Sequence, residues 1–132
     1  MLQLEYKEII QALHALYSAQ KFLVDLYELI YTGCYVSSSA SADLATAWYR
    51  VNVCRLYTET DVHFEELLQP SMGLIVDAKE MIDRLAAWGK GVTRAGQANI
   101  LVCIREAGDG IFTAIEKLEL MLNVCPSSNK NC

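Results

Sequence analysis

The apolar residues in the first quarter of the chain recur at the spacing of an α-helix. They follow one another at alternating steps of three and four residues, and Gln20 is the single polar member of the series. The stripe consists of Leu2, Tyr6, Ile9, Leu13, Leu16, Gln20, Leu23, Tyr27, Ile30 and Cys34. A stripe with this period covers one face of a helix, so it predicts a long amphipathic first helix that ends at Thr32-Gly33.

A second helix is predicted after a connection rich in serine and alanine at residues 37–42. Ser41 and Asp43 are candidates to cap its first turn, because their side-chain oxygens accept hydrogen bonds from free backbone N–H groups. Its expected core stripe is Tyr49, Val53, Leu56, Thr60, His63 and Leu67. Pro70 is expected to end this helix, since proline lacks the backbone N–H and disfavours helical geometry at the residue before it.

Two further helices follow. The third is predicted from Ser71 to about Trp88, and a connection that contains three glycines follows at residues 89–96. Its apolar face carries Ile75, Ala78, Ile82 and Leu85. The stripe of the last helix is Leu101, Ile104, Gly108, Ile111, Ile115, Leu118, Leu122 and Cys125. A glycine inside a helix costs about 1 kcal/mol relative to alanine, so Gly108 and Gly110 predict either a close helix contact or a local bend.

Four amphipathic helices with short connections predict an all-α fold, an antiparallel up-down-up-down four-helix bundle. A break at a glycine would give five helices. The chain has 132 residues, which is the size of one domain. We expect the bundle to span residues 1–125 and residues 126–132, which begin with proline and are rich in serine and asparagine, to form a flexible C-terminal tail.

The second half of the first helix is apolar nearly all round. Phe22, Leu26, Leu29 and Tyr31 lie off the main stripe, and a single bundle is expected to leave them in water. Exposed apolar patches mark interaction surfaces, and the commonest partner of a small soluble protein is a second copy of itself. These residues therefore predict the interface of a homodimer or of a complex with another protein. The alternative is that they pack inside the bundle.

Composition and charge narrow the possible partners. Hydrophobic residues make up 53% of the chain, which excludes a disordered protein. The net charge of −5 disfavours nucleic acid, whose phosphates are bound by clustered lysine and arginine, and it disfavours acidic lipid for the same reason. The five cysteines lack disulfide or zinc spacing, and no apolar run has the length of a bilayer span. We expect a soluble, cytoplasmic protein with reduced thiols.

The candidate chemistry is confined to acidic residues on either side of Pro70. The segments His63-x-x-Glu66 and Glu80-x-x-Asp83 resemble the paired acidic motifs of the all-α nucleoside triphosphate pyrophosphatases. The resemblance implies that Glu66, Glu80 and Asp83 bind Mg²⁺ and that a metal-bound water attacks a phosphoanhydride. The first motif of that family is Glu-x-x-Glu, so His63 departs from its pattern. The other interpretation of these residues is a solvated polar surface.

Taken together, the residues favour a non-enzymatic interaction or regulatory module that oligomerises through the first helix and needs no cofactor. The alternative is a divergent, Mg²⁺-dependent enzyme similar to those pyrophosphatases. A small-ligand binder is a third possibility, because Tyr27, Tyr31 and Tyr35 have the apolar rings and polar tips that suit a half-buried groove. His63 lies on the apolar stripe of the second helix and is expected to be a core histidine with a polar partner. His14 is expected at the same height of the first helix, so a pH-sensitive contact between the two histidines is the alternative.

Overall fold

The chain folds into four α-helices that pack in a ring. The computed structural model describes residues 4–32, 37–87 and 94–124. Its helices are α1 (Tyr6–Tyr31), α2 (Ser37–Tyr57), α3 (Val62–Ala87) and α4 (Arg94–Val124). Each helix packs against its neighbours in the chain, and α4 returns to pack against α1. This arrangement confirms the predicted all-α four-helix bundle.

Contacts between helix ends show that neighbouring helices run antiparallel. The Ser41 hydroxyl, near the start of α2, donates a hydrogen bond to the Asp83 carboxylate near the end of α3, with an Oγ–Oδ1 distance of 2.7 Å. The side-chain amide of Gln97, near the start of α4, donates to the carbonyl oxygen of Ile30 at the end of α1. The connections are short, so the helices alternate up and down around the ring.

The core faces of α1 and α4 are those predicted from the sequence. Most members of the two stripes are almost fully buried: Ile9, Leu13, Leu16, Leu23, Ile30, Ile104, Ile111, Ile115 and Leu118. Tyr6 is the exception near the start of α1, where its ring is exposed. Burying a large aliphatic side chain stabilises the fold by roughly 1.5–3 kcal/mol, so these two faces account for much of the packing.

The predicted core stripe of α2 is wrong. Its large members Tyr49 and Leu56 are more than half exposed. The buried face of α2 is formed instead by mostly small side chains, namely Ala40, Leu44, Ala47, Val51 and Cys54. Small residues allow two helix backbones to approach closely, and α1 turns several buried alanines inward as well. The size of a side chain therefore pointed to the wrong face.

The predicted helix boundary at Pro70 is also wrong. Helix α2 ends at Tyr57, and the side chain of Asp61 starts α3 by accepting a hydrogen bond from the backbone N–H of His63 at 3.0 Å. Pro70 lies inside α3 on its exposed face. The helical hydrogen bond lost at Pro70 is the one to the carbonyl of Glu66. Solvent reaches this exposed face, which makes the interruption tolerable.

Several sequence predictions fall outside the described residues. These include the C-terminal tail at residues 126–132, most of the predicted glycine-containing connection, Tyr35, and three members of the predicted stripes, Leu2, Cys34 and Cys125. Within the described ranges, none of the helices combines the length and the apolar character that a membrane span requires.

Candidate interaction surface

The four residues predicted to form an interface have different environments. Leu26 is only 1% exposed and belongs to the core, and Phe22 is partly buried against it. Leu29 and Tyr31 are exposed, Tyr31 at 70%. The expectation that a single bundle leaves all four in water is therefore wrong for Leu26, because the bundle covers the flank of α1 on which it lies.

Leu29 and Tyr31 lie on opposite sides of α1. Successive residues of an α-helix are separated by about 100°, so two residues along the chain turn a side chain by about 200°. Tyr31 is on the flank that faces α4, together with Tyr27, whose ring stacks on it with centroids 6.3 Å apart. The predicted residues therefore do not form one continuous patch.

A different set of exposed apolar residues does share one face of α1. Tyr17, Val24 and Tyr31 follow one another at intervals of seven residues and are all substantially exposed, Val24 at 50%. Positions seven apart lie on the same side of a helix. Sequence analysis missed this exposed stripe because it lies beside the longer buried one, although the seven-residue spacing was visible in the sequence.

The exposed stripe borders an open groove between α1 and α4 with a volume of about 530 Å³. Its apolar lining consists of Leu23, Val24, Tyr27, Ile104 and Phe112. Phe112 is about half exposed. Gly108 lines the groove without a side chain, and a methyl group built on it would meet no atom within 4 Å.

Hydrogen bonds near each end of the groove hold α1 and α4 together. The phenol of Tyr17 donates to the Glu119 carboxylate, with an Oη–Oε2 distance of 2.7 Å. This hydrogen bond raises the pKa of Tyr17, because the carboxylate stabilises the protonated phenol and opposes a second negative charge. At the other end Gln97 binds the carbonyl of Ile30. The groove is therefore formed before any partner arrives.

The polar residues that line the groove are Gln20, Glu28, Arg105 and Asp109. Arg105 and Asp109 are four residues apart on α4, a spacing at which oppositely charged side chains often pair. Lys79 and Asp83 do pair at this spacing, at 2.8 Å. Arg105 and Asp109 make no ion pair with each other or with another described residue. Both are exposed and lie beside apolar walls.

The carboxylates proposed to hold Mg²⁺ are not brought together. Glu66, Glu80 and Asp83 all lie on α3. A rise of 1.5 Å per residue places Glu66 about 21 Å from Glu80 along the helix. Hydrogen bonds from Lys79 and Ser41 hold the pKa of Asp83 below its usual value. Among the described residues no three His, Cys, Asp or Glu side chains cluster at metal-binding distance, so the predicted three-carboxylate site is wrong.

The histidines and described cysteines do not form a reactive centre. His63 is exposed, which corrects the prediction that it is a core histidine, and its Nδ1 atom lies 3.9 Å from Glu66 Oε2. His14 is exposed as well. Burial raises the pKa of the Cys54 thiol to about 12. Burial and nearby carboxylates also raise the pKa of Cys103. Both thiols are protonated at neutral pH, and a thiol is a poor nucleophile in that form.

Comparison with known proteins adds no family or relative. No family model matches the chain, and neither the search of curated proteins nor the search of solved structures gives a match. The function therefore has to be argued from the surface itself.

Proposed function

We propose that the protein is a non-enzymatic protein–protein interaction module that forms a homodimer through the face that α1 shares with α4. The observation that carries this proposal is the exposed stripe of Tyr17, Val24 and Tyr31 along the open α1/α4 groove. Removing apolar surface from water favours association by about 25 cal/mol per Å², and the part that exceeds the entropy lost on association stabilises the complex. Half-exposed side chains on a ready-formed groove offer that gain without a large rearrangement.

A second copy of the chain is the proposed partner because most soluble oligomers are symmetric and two-fold dimers are the commonest among them. The net charge of −5 argues against nucleic acid or an acidic membrane as the ligand of this face. We also propose a reducing, cytoplasmic location. It is supported by Cys54 and Cys103, which are both free thiols.

The mass of the protein in solution tests the homodimer. Light scattering during size-exclusion chromatography is expected to give about twice the chain mass of 14.8 kDa at micromolar concentration. A monomer at every concentration up to the millimolar range would refute the proposal.

A pair of valine variants tests the surface. Val24→Asp places a charge on the exposed stripe and is expected to raise the dimer Kd by roughly tenfold or more, because a charge is costly to bury without a partner. Val76→Asp is the matched control. Val76 is 40% exposed and lies in the interior of α3, a helix that contributes no residue to the lining of the groove, so its replacement is expected to leave the Kd unchanged. If the two variants change the dimer Kd equally, the interface does not lie on this face of α1.

A further inference from the structure

We infer that the two copies are related by a two-fold axis that passes beside Val24 and between Arg105 and Asp109, so that α4 lies antiparallel on α4 and α1 antiparallel on α1. This inference rests on the proposed function and specifies how the second copy is oriented. It follows from the order of apolar and charged residues along the exposed face.

The heights of α1 and α4 in the bundle fix where such an axis can lie. The two helices are antiparallel, with Ile30 near Gln97 at one end and Tyr17 near Glu119 at the other. Val24 lies between these ends and lines the groove with Gly108. Val24 is about midway between Tyr17 and Ile30, so the same height on α4 is about midway between Gln97 and Glu119. An axis that crosses both helices at this height therefore crosses α4 close to residue 107.

The α4 face is self-complementary about this height. A two-fold axis at residue 107 places each residue of α4 opposite a residue of α4 in the second copy. The two residues are the same number of positions from residue 107, in opposite directions along the helix. Arg105 of one copy then meets Asp109 of the second copy, and the pair occurs twice. Val102 meets Phe112 in the same way, and both are exposed. Apolar residues thus meet apolar ones, and the two unpaired charges of the groove find partners.

The exposed stripe on α1 has the same symmetry. Val24 lies at the axis and meets Val24 of the second copy. Tyr17 and Tyr31 are each seven residues from Val24, so Tyr17 of one copy meets Tyr31 of the other. Tyrosine is among the residues that contribute most to interface stability, and aromatic pairs add to the contribution of the buried area. Both helices of the face are therefore symmetric about one axis.

The order of residues along both helices favours this axis over one parallel to the helices. A two-fold axis parallel to the helices would place α4 of one copy against α1 of the other. Arg105 would then not meet Asp109, and Tyr17 would not meet Tyr31. The perpendicular axis brings both pairs together, and opposite charges that meet across an interface favour association.

Charge reversal tests this geometry directly. We expect Arg105→Asp alone and Asp109→Arg alone each to raise the dimer Kd by roughly tenfold or more, because each variant sets two like charges together at both symmetry-related positions. An equimolar mixture of the two variants is expected to form a heterodimer with a Kd within about threefold of the wild type, and the double variant is expected to recover the homodimer. Sedimentation velocity measures all four samples.

Arg84→Asp is the matched control. It changes the net charge as Arg105→Asp does, but Arg84 lies on the exposed face of α3. Its Kd should equal that of the wild type. If the wild type dimerises and both single reversals leave the Kd unchanged, or the mixture fails to recover, the two-fold geometry is wrong while self-association stands. A wild type that is monomeric throughout refutes the proposed function itself.

Discussion

Replacing Gly110 by alanine tests how closely α3 and α4 approach each other. A Cβ atom at position 110 would overlap the hydroxyl oxygen of Ser71 on α3. Ser71 is only 1% exposed, so its hydroxyl can avoid a Cβ atom at position 110 only by changing its rotamer inside the protein. Gly108 offers a matched comparison on the same helix, because a methyl group there meets nothing within 4 Å.

The two substitutions differ in one term of the free energy of unfolding. Alanine gains about 1 kcal/mol over glycine in a helix interior, and both variants share this gain. Overpacking a close contact costs about 1–3 kcal/mol, and only Gly110→Ala incurs it. We expect Gly108→Ala to stabilise the protein by up to about 1 kcal/mol. We expect Gly110→Ala to destabilise it by about 1 kcal/mol, which is the middle of the overpacking range less the shared gain.

Urea unfolding followed by circular dichroism measures both variants. Two protein concentrations tenfold apart separate folding from self-association, which makes the transition midpoint concentration-dependent. Ser71→Ala supplies the second half of a double-mutant cycle, because without the hydroxyl the new Cβ has only ordinary contacts, 3.5 Å from the Cβ of residue 71 and 3.7 Å from the Leu67 carbonyl oxygen. Gly110→Ala should then become stabilising. If it stabilises the wild type as much as Gly108→Ala does, α3 and α4 are not in close contact here.

Three other changes test the structure at separate points. Leu26→Ala should cost about 2–5 kcal/mol in urea unfolding because Leu26 is buried, whereas Leu29→Ala should cost under about 1 kcal/mol; equal costs would contradict the assigned burial. Pro70→Ala should stabilise the protein by about 1–3 kcal/mol by restoring a helical hydrogen bond, and a loss of stability would show that α3 depends on the proline. In an ultraviolet titration Tyr17 should ionise above its usual pKa of 10, and Glu119→Gln should lower that pKa. The stability contributed by this hydrogen bond is present below pH 10 and is lost as the pH rises through the raised pKa of Tyr17. Identical titration curves for the wild type and Glu119→Gln would show that the hydrogen bond is absent.

The fold was predictable where the core is built from large aliphatic residues. The stripes of α1 and α4 have a regular period and few polar interruptions, and the buried faces follow them. The same reasoning failed on α2, where Tyr49 and Leu56 were assigned to the core because they are large, whereas Ala47 is the residue that is buried. A small residue carries little hydrophobic signal, and its burial depends on how closely the neighbouring helix approaches. That distance is a property of the pair of helices rather than of one sequence segment.

The proline rule failed on α3 for a related reason. Proline weakens a helix locally by about 3 kcal/mol, which is enough to end a helix that has little else to hold it. Phe64 and Leu68 before Pro70, and Ile75 and Ile82 after it, are all buried on one continuous face. Their combined burial outweighs the local cost, so the helix continues. The Mg²⁺ hypothesis depended on a turn at Pro70, and it fails once the acidic residues share one helix.

The interaction surface was only partly predictable. The sequence indicated that the second half of α1 has more apolar residues than one face can bury, and Val24 and Tyr31 are exposed there. Which flank stays exposed depends on how α2 and α4 are placed around α1. A single helical period cannot contain that information, and so Leu26 was assigned to the surface although it lies in the core.

The two glycines of α4 illustrate how one sequence feature can serve two opposite purposes. Gly108 and Gly110 are two residues apart, so they point to different sides of the helix, separated by about 200°. Gly110 faces α3 and allows the backbone of α4 to approach Ser71. Gly108 faces α1 and leaves the groove open beside Val24. The sequence predicted a close contact or a bend for both residues, but only Gly110 makes a close contact. At Gly108 a side chain would meet no other atom of the bundle, so its helix cost of about 1 kcal/mol is not offset by the close helix packing that Gly110 allows.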